Sequence, residues 1–194
     1  MLFPCLALKE PVTINSVLIK PISCSETGVF ARLEGQNISR KIKALSANLV
    51  WAAYHAGEDI TCGEFIKSNN DKPPPQTPLV KKSVNIDVLL AFMPKPDKPP
   101  QLAVYWFARY LQSDSEHKRV ISLYNGLGSL PGGFGGIKGL FDAAGREALG
   151  QRLIDEVTRL RDENDETGPP VHKYGFNALD FKQIEDVFMK ASKK

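Results

Sequence analysis

The chain has 194 residues, 42% of them hydrophobic and 24% charged, and a formal net charge of +3. This length and apolar content are typical of one globular domain with its own core, so we predict a single α+β domain over 1–194. No apolar run approaches the about 20 residues of a membrane helix. The apolar start lacks the basic end of a signal peptide and is interrupted by Pro4. We therefore predict a cytoplasmic protein without a membrane partner.

The first half of the chain predicts a β-hairpin followed by a helix. Residues 11–24 and 29–34 are rich in β-branched side chains, and Thr27-Gly28 between them is typical of a turn. The helix is predicted from a stripe of apolar residues at alternating spacings of four and three, with Asn37 as N-cap and Gly57 as stop. The stripe comprises Ile38, Ile42, Leu45, Leu49, Ala52 and Ala56.

A Pro-rich connector at 69–79 separates this helix from the next predicted elements, and its three consecutive prolines favour an extended chain. Residues 84–93 alternate apolar and polar side chains as a strand does. Residues 102–111 are aromatic and β-branched, and 119–126 resemble them. These three segments predict an antiparallel meander, although a helix remains the alternative for 102–111.

The stretch "NGLGSLPGGFGGIKG" at 125–139 holds seven of the fifteen glycines and predicts a Gly-rich loop before a helix that starts near Ile137. Glycines before a helix N-terminus allow a phosphate to approach unpaired N–H groups. The spacing matches neither a P-loop nor the dinucleotide fingerprint, since Pro131 occupies the position of the third glycine. A candidate anion or phosphate loop remains, beside the alternatives of a partner-binding loop and a plain connector. Its residues are Gly133, Gly135, Gly136 and Lys138.

Two C-terminal helices complete the predicted two-layer arrangement, one from about 137 to 165 and one over 178–194. Gly145 and Gly150 interrupt the apolar stripe of the first, and each indicates either close packing or a bend. The fold class predicted is therefore α+β, with an N-terminal β-hairpin, a helix, a three-strand meander and two C-terminal helices.

Cysteine and histidine spacing predicts no metal site and no cofactor. Cys5, Cys24 and Cys62 are widely spaced, and neither a CxxC pair nor an HExxH motif occurs. We expect the three cysteines to be small buried hydrophobic residues. Catalytic motifs are likewise missing from the sequence, which favours a protein that is not an enzyme without deciding the matter.

The predicted function is an intracellular binding or assembly protein that contacts a polyanion such as RNA or DNA. The excess of basic residues lies within 1–100, with 12 Lys and Arg against 9 Asp and Glu. If 102–111 were a strand, Tyr105, Phe107 and Arg109 would share a face on which bases could stack, although core packing also explains the two rings. The predicted nucleic-acid contacts are Arg40, Lys41, Lys43, Lys81, Lys82, Arg109 and Lys138.

Two other functions are compatible with the sequence. The chain could be a protein–protein interaction module, as an inhibitor or a subunit of a larger complex. It could also be a small enzyme that binds a phosphorylated ligand at the Gly-rich loop and the following helix N-terminus.

Overall fold

The computed structural model describes residues 1–3, 5–25, 28–65, 83–95, 98–162 and 175–193. The chain divides into two compact units, Met1–Pro94 and Lys95–Lys194. The first contains antiparallel strands and a long helix, and the described part of the second is helical, which confirms the α+β class. The single domain expected over 1–194 stays a prediction, because two compact units can still unfold cooperatively as one.

The first unit has a four-stranded antiparallel sheet in the order β1-β5-β4-β3 and a parallel pair, β2 with β6. Helix α1 (Ile38–Ala56) contributes fully buried residues, among them Leu45, Leu49 and Ala52, to the same core as the sheet residues Val17 and Ile19. The strands are β1 (Leu2–Phe3), β2 (Leu6–Ala7), β3 (Val12–Ile14), β4 (Val17–Ser25), β5 (Gly28–Glu34) and β6 (Val84–Asn85).

The predicted β-hairpin is confirmed as β4 and β5, which pair with Ile19 opposite Leu33. Part of its turn, residues 26 and 27, lies outside the described residues. A second hairpin, β3 with β4, was not predicted. Its turn residues Asn15 and Ser16 have φ of 51° and 59°, the left-handed backbone that a type I′ turn requires.

The helix predicted after the hairpin is confirmed as α1, Ile38–Ala56. Gly57 ends it in the left-handed conformation with φ of 71°, and its N–H donates to the carbonyls of Ala53 and Tyr54. Asn37 precedes the helix as predicted, but its φ is 55° and its side chain makes no capping hydrogen bond. The Asn37 side chain therefore does not accept from the N–H groups of the first turn of α1.

The prediction for the cysteines is wrong for Cys24, which is exposed and whose thiol donates to the Leu8 carbonyl at 2.8 Å. Cys5 and Cys62 are buried, as expected, but they form a disulfide between residues separated by 57 positions. Cys62 belongs to a short 3-10 helix, Ile60–Gly63. Only the folding of α1 back toward β2 brings these two thiols together, so their spacing in the chain did not indicate the pairing.

The predicted three-strand meander is wrong. Residues 84–85 form β6, but the chain then enters a short helix, α2 (Ile86–Leu90). The other two segments are the helices α3 (Gln101–Leu111) and α4 (Glu116–Gly128). In α3, Val104, Phe107 and Ala108 are all buried. Their spacings of three and four residues put them on one face of a helix. Packing of that face therefore outweighed the β propensity of the aromatic residues.

The second unit continues with α5 (Gly133–Asp142), α6 (Glu147–Asp162) and α7 (Ala178–Ser192). The first predicted C-terminal helix is therefore two helices, because Gly145 turns the chain with φ of 65°. Gly150 instead packs closely, since a Cβ there would stand 2.6 Å from the Cβ of Phe141. The last predicted helix is confirmed as α7, which begins with a capping box of Asn177 and Asp180.

The core of the second unit is built around stacked aromatic rings. Phe107 of α3 and Phe188 of α7 are both fully buried, and their ring centroids lie 4.8 Å apart at an interplanar angle of 10°.

None of the helices in the described ranges has the length and apolar character needed to cross a membrane.

Candidate nucleic-acid interface

The predicted Gly-rich loop at 125–139 is mostly helical. Asn125 to Gly128 end α4, and α5 begins at Gly133, so only 129–132 form a turn. Gly132 and Gly133 take φ of 101° and 61° in this turn, which is where glycine is needed for its backbone freedom. Lys138 consequently lies in the second turn of α5, and a helix starting near Ile137 with Lys138 in its first turn is wrong.

The glycines of α4 allow close packing. A Cβ at Gly126 would stand 3.2 Å from the Phe188 ring, and a Cβ at Gly128 would overlap the ring of Phe134. Gly128 therefore determines where the Phe134 side chain lies, because no larger residue leaves space for that ring against α4.

The glycines of α5 face open space instead. Apart from the helix's own backbone, no described atom lies within 4 Å of where a Cβ would stand at Gly133, Gly135, Gly136 or Gly139. Glycine inside a helix costs about 1 kcal/mol relative to alanine, and packing within the described chain does not offset that cost here. The result is a stretch of helix backbone that a ligand can approach closely.

Phe134 forms the centre of a cluster of aromatic and cationic side chains, in which Tyr124 is buried and Phe134, Lys138 and Arg161 are exposed. Its side chain is 50% exposed, and its ring centroid lies 5.3 Å from that of Tyr124. The Arg161 guanidinium carbon lies 5.2 Å from the Tyr124 centroid and 5.9 Å from the Phe134 centroid. Lys138 follows Phe134 by one turn and is exposed. We call these four residues the Phe134 surface.

The Phe134 surface carries positive charge that is not neutralised by its described neighbours. Arg161 and Lys138 are both exposed, and among the described residues neither forms an ion pair with a carboxylate. Two cations beside an exposed ring favour an anionic ligand with an unsaturated or aromatic part.

A second cationic cluster lies in the first unit, at the start of α1. Arg40, Lys41 and Lys43 occupy its first two turns, and the first turn contains no acidic residue. Lys43 is exposed and Lys41 partly exposed, while the Arg40 side chain is outside the described part of the structure. We call these three residues the α1 basic end.

The remaining predicted contacts are not gathered into either cluster. Lys81 and Lys82 lie outside the described residues, so their role stays a prediction. Arg109 is exposed in the last turn of α3, on a different helix from Lys138. The predicted strand face of Tyr105, Phe107 and Arg109 is wrong, because α3 is a helix and Phe107 is fully buried.

Sequence reasoning missed Phe134, Tyr124 and Arg161 as members of one surface. The local pattern predicts a loop at Phe134 and a strand at Tyr124. The available signal was Gly128, whose spacing of six residues from Phe134 spans the turn between two helices, but nothing in the local pattern indicated that turn.

A separate polar cluster in the second unit has the properties of a structural network. The Tyr110 hydroxyl donates to Oε1 of Glu185, and Nη2 of Arg119 donates to the Tyr110 hydroxyl at 3.0 Å. Burial raises the pKa of Tyr110 well above its usual value, and the hydrogen bond to Glu185 raises it further. A tyrosine held protonated in this way is poorly suited to act as a base or nucleophile, so the cluster serves to join α3, α4 and α7.

Metal chemistry finds no support in the described ranges, where no group of three or more His, Cys, Asp and Glu side chains is arranged to hold an ion. Comparison of the chain with protein-family models, with curated proteins and with solved structures found no match.

Proposed function

We propose that the chain is a non-enzymatic nucleic-acid-binding protein that contacts the phosphates of RNA or DNA. The observation that carries the proposal is the α1 basic end: three basic residues in the first two turns of a 19-residue helix, with no acidic residue in the first turn. Helix N-termini normally carry acidic side chains, because unpaired N–H groups give that end a partial positive charge.

At the α1 basic end this preference is reversed. The Asn37 side chain does not cap the helix, so the partial charge of the helix and the charges of the lysines add together. A phosphate group bound there would accept hydrogen bonds from the helix start and pair with the ammonium groups. A bound anion would thereby offset the repulsion between the positive helix start and the lysine side chains of the free protein.

Salt dependence tests the proposal directly. We expect a labelled oligonucleotide to bind with an affinity that falls steeply between about 50 and 200 mM salt, as released counterions require. The variant Lys41→Glu with Lys43→Glu should weaken binding to about the same extent for every sequence, and should reduce the salt slope by about 1 to 2. Fluorescence anisotropy over a salt series measures both quantities.

Lys9→Glu is the matched control, since Lys9 is an exposed lysine of the same unit outside α1. It should change affinity less than Lys43→Glu alone. Binding that is independent of salt, or no binding to any nucleic acid, contradicts the proposal. A concentration-dependent oligomer that is insensitive to nuclease would instead support a protein–protein interaction module.

The cytoplasmic location expected from the sequence belongs to the same proposal. The Cys5–Cys62 disulfide bears on it, because cytosolic reductants keep most thiols reduced. A cytoplasmic chain should therefore contain free Cys5 and Cys62, which alkylation in intact cells followed by mass spectrometry would measure.

A further inference from the structure

We propose that the Phe134 surface binds the unpaired bases of a single-stranded nucleic acid, an inference that rests on the proposed function. The base would stack on the exposed part of the Phe134 ring, while Lys138 and Arg161 contact the flanking phosphates.

The Phe134 ring is exposed and held in one orientation. A phenylalanine that is 50% exposed leaves apolar area in water that a planar partner would cover. Gly128 and Tyr124 hold one side of the ring against the helices, so the ring is already oriented before a ligand arrives. A fixed ring loses little conformational entropy when a base stacks on it.

The Phe134 ring has two cationic side chains near it. Arg161 lies 5.9 Å from the Phe134 centroid, and Lys138 is one helical turn away. An apolar or proline-rich peptide would cover the ring but leave these cations unmatched, whereas a nucleic acid strand supplies aromatic bases and phosphates at alternating positions. The charge complementarity therefore favours a nucleic acid over an uncharged peptide.

The backbone of α5 is accessible to a ligand. Gly135 and Gly139 leave open space where their side chains would stand on α5, the helix that carries Phe134, so a sugar or phosphate can lie close to this helix. Bases in a duplex are stacked on each other and present only their edges. The flat face that Phe134 requires is available along a single strand, whereas neighbouring base pairs cover it inside a duplex, so the interior of a duplex can engage the cations but not the ring.

The experiment compares the intact chain against three ligands of matched length: a single strand, its duplex, and an abasic strand that has the same phosphates without bases. Because stacking of one base on an aromatic side chain is worth about 1–3 kcal/mol, the single strand should bind about tenfold more tightly than the abasic strand. Phe134→Ala should remove this difference and leave binding of the abasic strand unchanged.

Substitutions of different shape separate stacking from folding. Phe134→Tyr keeps an aromatic ring and should retain the tenfold preference, whereas Phe134→Leu keeps apolar packing against Gly128 and should lose it. Leu179→Ala is the matched control, because Leu179 is an exposed apolar residue of the same unit, on α7. Circular dichroism of each variant establishes that the helices are retained.

The outcomes distinguish this inference from the function on which it rests. Equal affinity for all three ligands, unchanged in Phe134→Ala, overturns base stacking while phosphate binding stands. No binding to any of the three overturns both. A full preference for single strands in Phe134→Leu also contradicts the inference, because that side chain cannot stack as a ring does.

Discussion

Each of the two units is stabilised internally by a different kind of interaction. In the first, a disulfide joins Cys5 to Cys62 and closes a loop that contains most of the sheet and all of α1. In the described part of the second, no such crosslink occurs, and helices are joined by stacked rings and by the Tyr110–Arg119–Glu185 cluster. The stability of the first unit therefore depends on the redox state of its surroundings, whereas that of the second depends on packing and protonation.

The chain offers a separate reporter for each unit. It contains two tryptophans, Trp51 in α1 and Trp106 in α3. Trp51→Phe and Trp106→Phe would leave one fluorescent reporter each, so unfolding of the two units can be followed separately.

Removal of the disulfide should affect the first unit most. Cys5→Ala with Cys62→Ala should lower its free energy of unfolding by about 4 kcal/mol, because a crosslink that spans 57 positions restricts the unfolded chain strongly. Urea unfolding followed through Trp51 measures this change. Cys24→Ala is the control and should leave the midpoint nearly unchanged, since Cys24 is an exposed free thiol.

The same experiment tests the expectation of a single domain. If the two units unfold separately, the Trp106 transition should keep its midpoint when the disulfide is removed. An equal shift of both transitions would contradict the division of stabilising interactions described above and would support one cooperative domain.

Tyr110→Phe should destabilise the second unit by about 2 kcal/mol, since it removes a partly buried hydrogen bond to a carboxylate. The Trp106 transition measures this effect. Tyr105→Phe on the same helix is the control, because Tyr105 is partly exposed, and it should change stability by less than about 0.5 kcal/mol. A large loss in Tyr105→Phe and none in Tyr110→Phe would refute the assignment of the cluster.

The same residue predicts a pH dependence. The pKa of Tyr110 is raised in the folded state, so the unfolded chain loses this proton first as the pH rises. The resulting stabilisation is complete below about pH 10, the usual tyrosine value, and is lost as the pH increases through the folded pKa. Absorbance titration should show a tyrosine that ionises only above pH 10 in the folded chain, and Tyr110→Phe should remove that step.

Glycine substitutions within the second unit should have opposite signs. Gly150→Ala should destabilise by about 1 kcal/mol, because overlap with Phe141 outweighs the gain in helix propensity. Gly139→Ala is the matched variant in open space and should stabilise by up to about 1 kcal/mol. Thermal unfolding of both variants measures the difference, and a stabilised Gly150→Ala would mean that α5 and α6 are less closely packed than described.

Much of the first unit could be predicted from local pattern. The apolar stripe of α1 repeats over five turns, and Gly57 ends it as expected, since a long periodic segment admits one regular structure. The segments 102–111 and 119–126 are shorter and rich in aromatic and β-branched residues, which suit a strand or a buried helix equally. Their packing against α7, which local sequence does not encode, made them helices.

One of the two candidate sites could likewise be predicted from local sequence, and the other could not. The α1 basic end could be found from the sequence, because its residues are neighbours on one predictable helix. The Phe134 surface could not, since Tyr124, Phe134 and Arg161 come from three helices whose positions depend on Gly128 and on the turn at Gly132. Local periodicity was enough to predict the α+β class, the hairpin, α1 and α7. Tertiary structure alone decided the disulfide pairing, the helical state of the glycine-rich stretch and the exposure of Phe134, because these depend on contacts between residues distant in the chain.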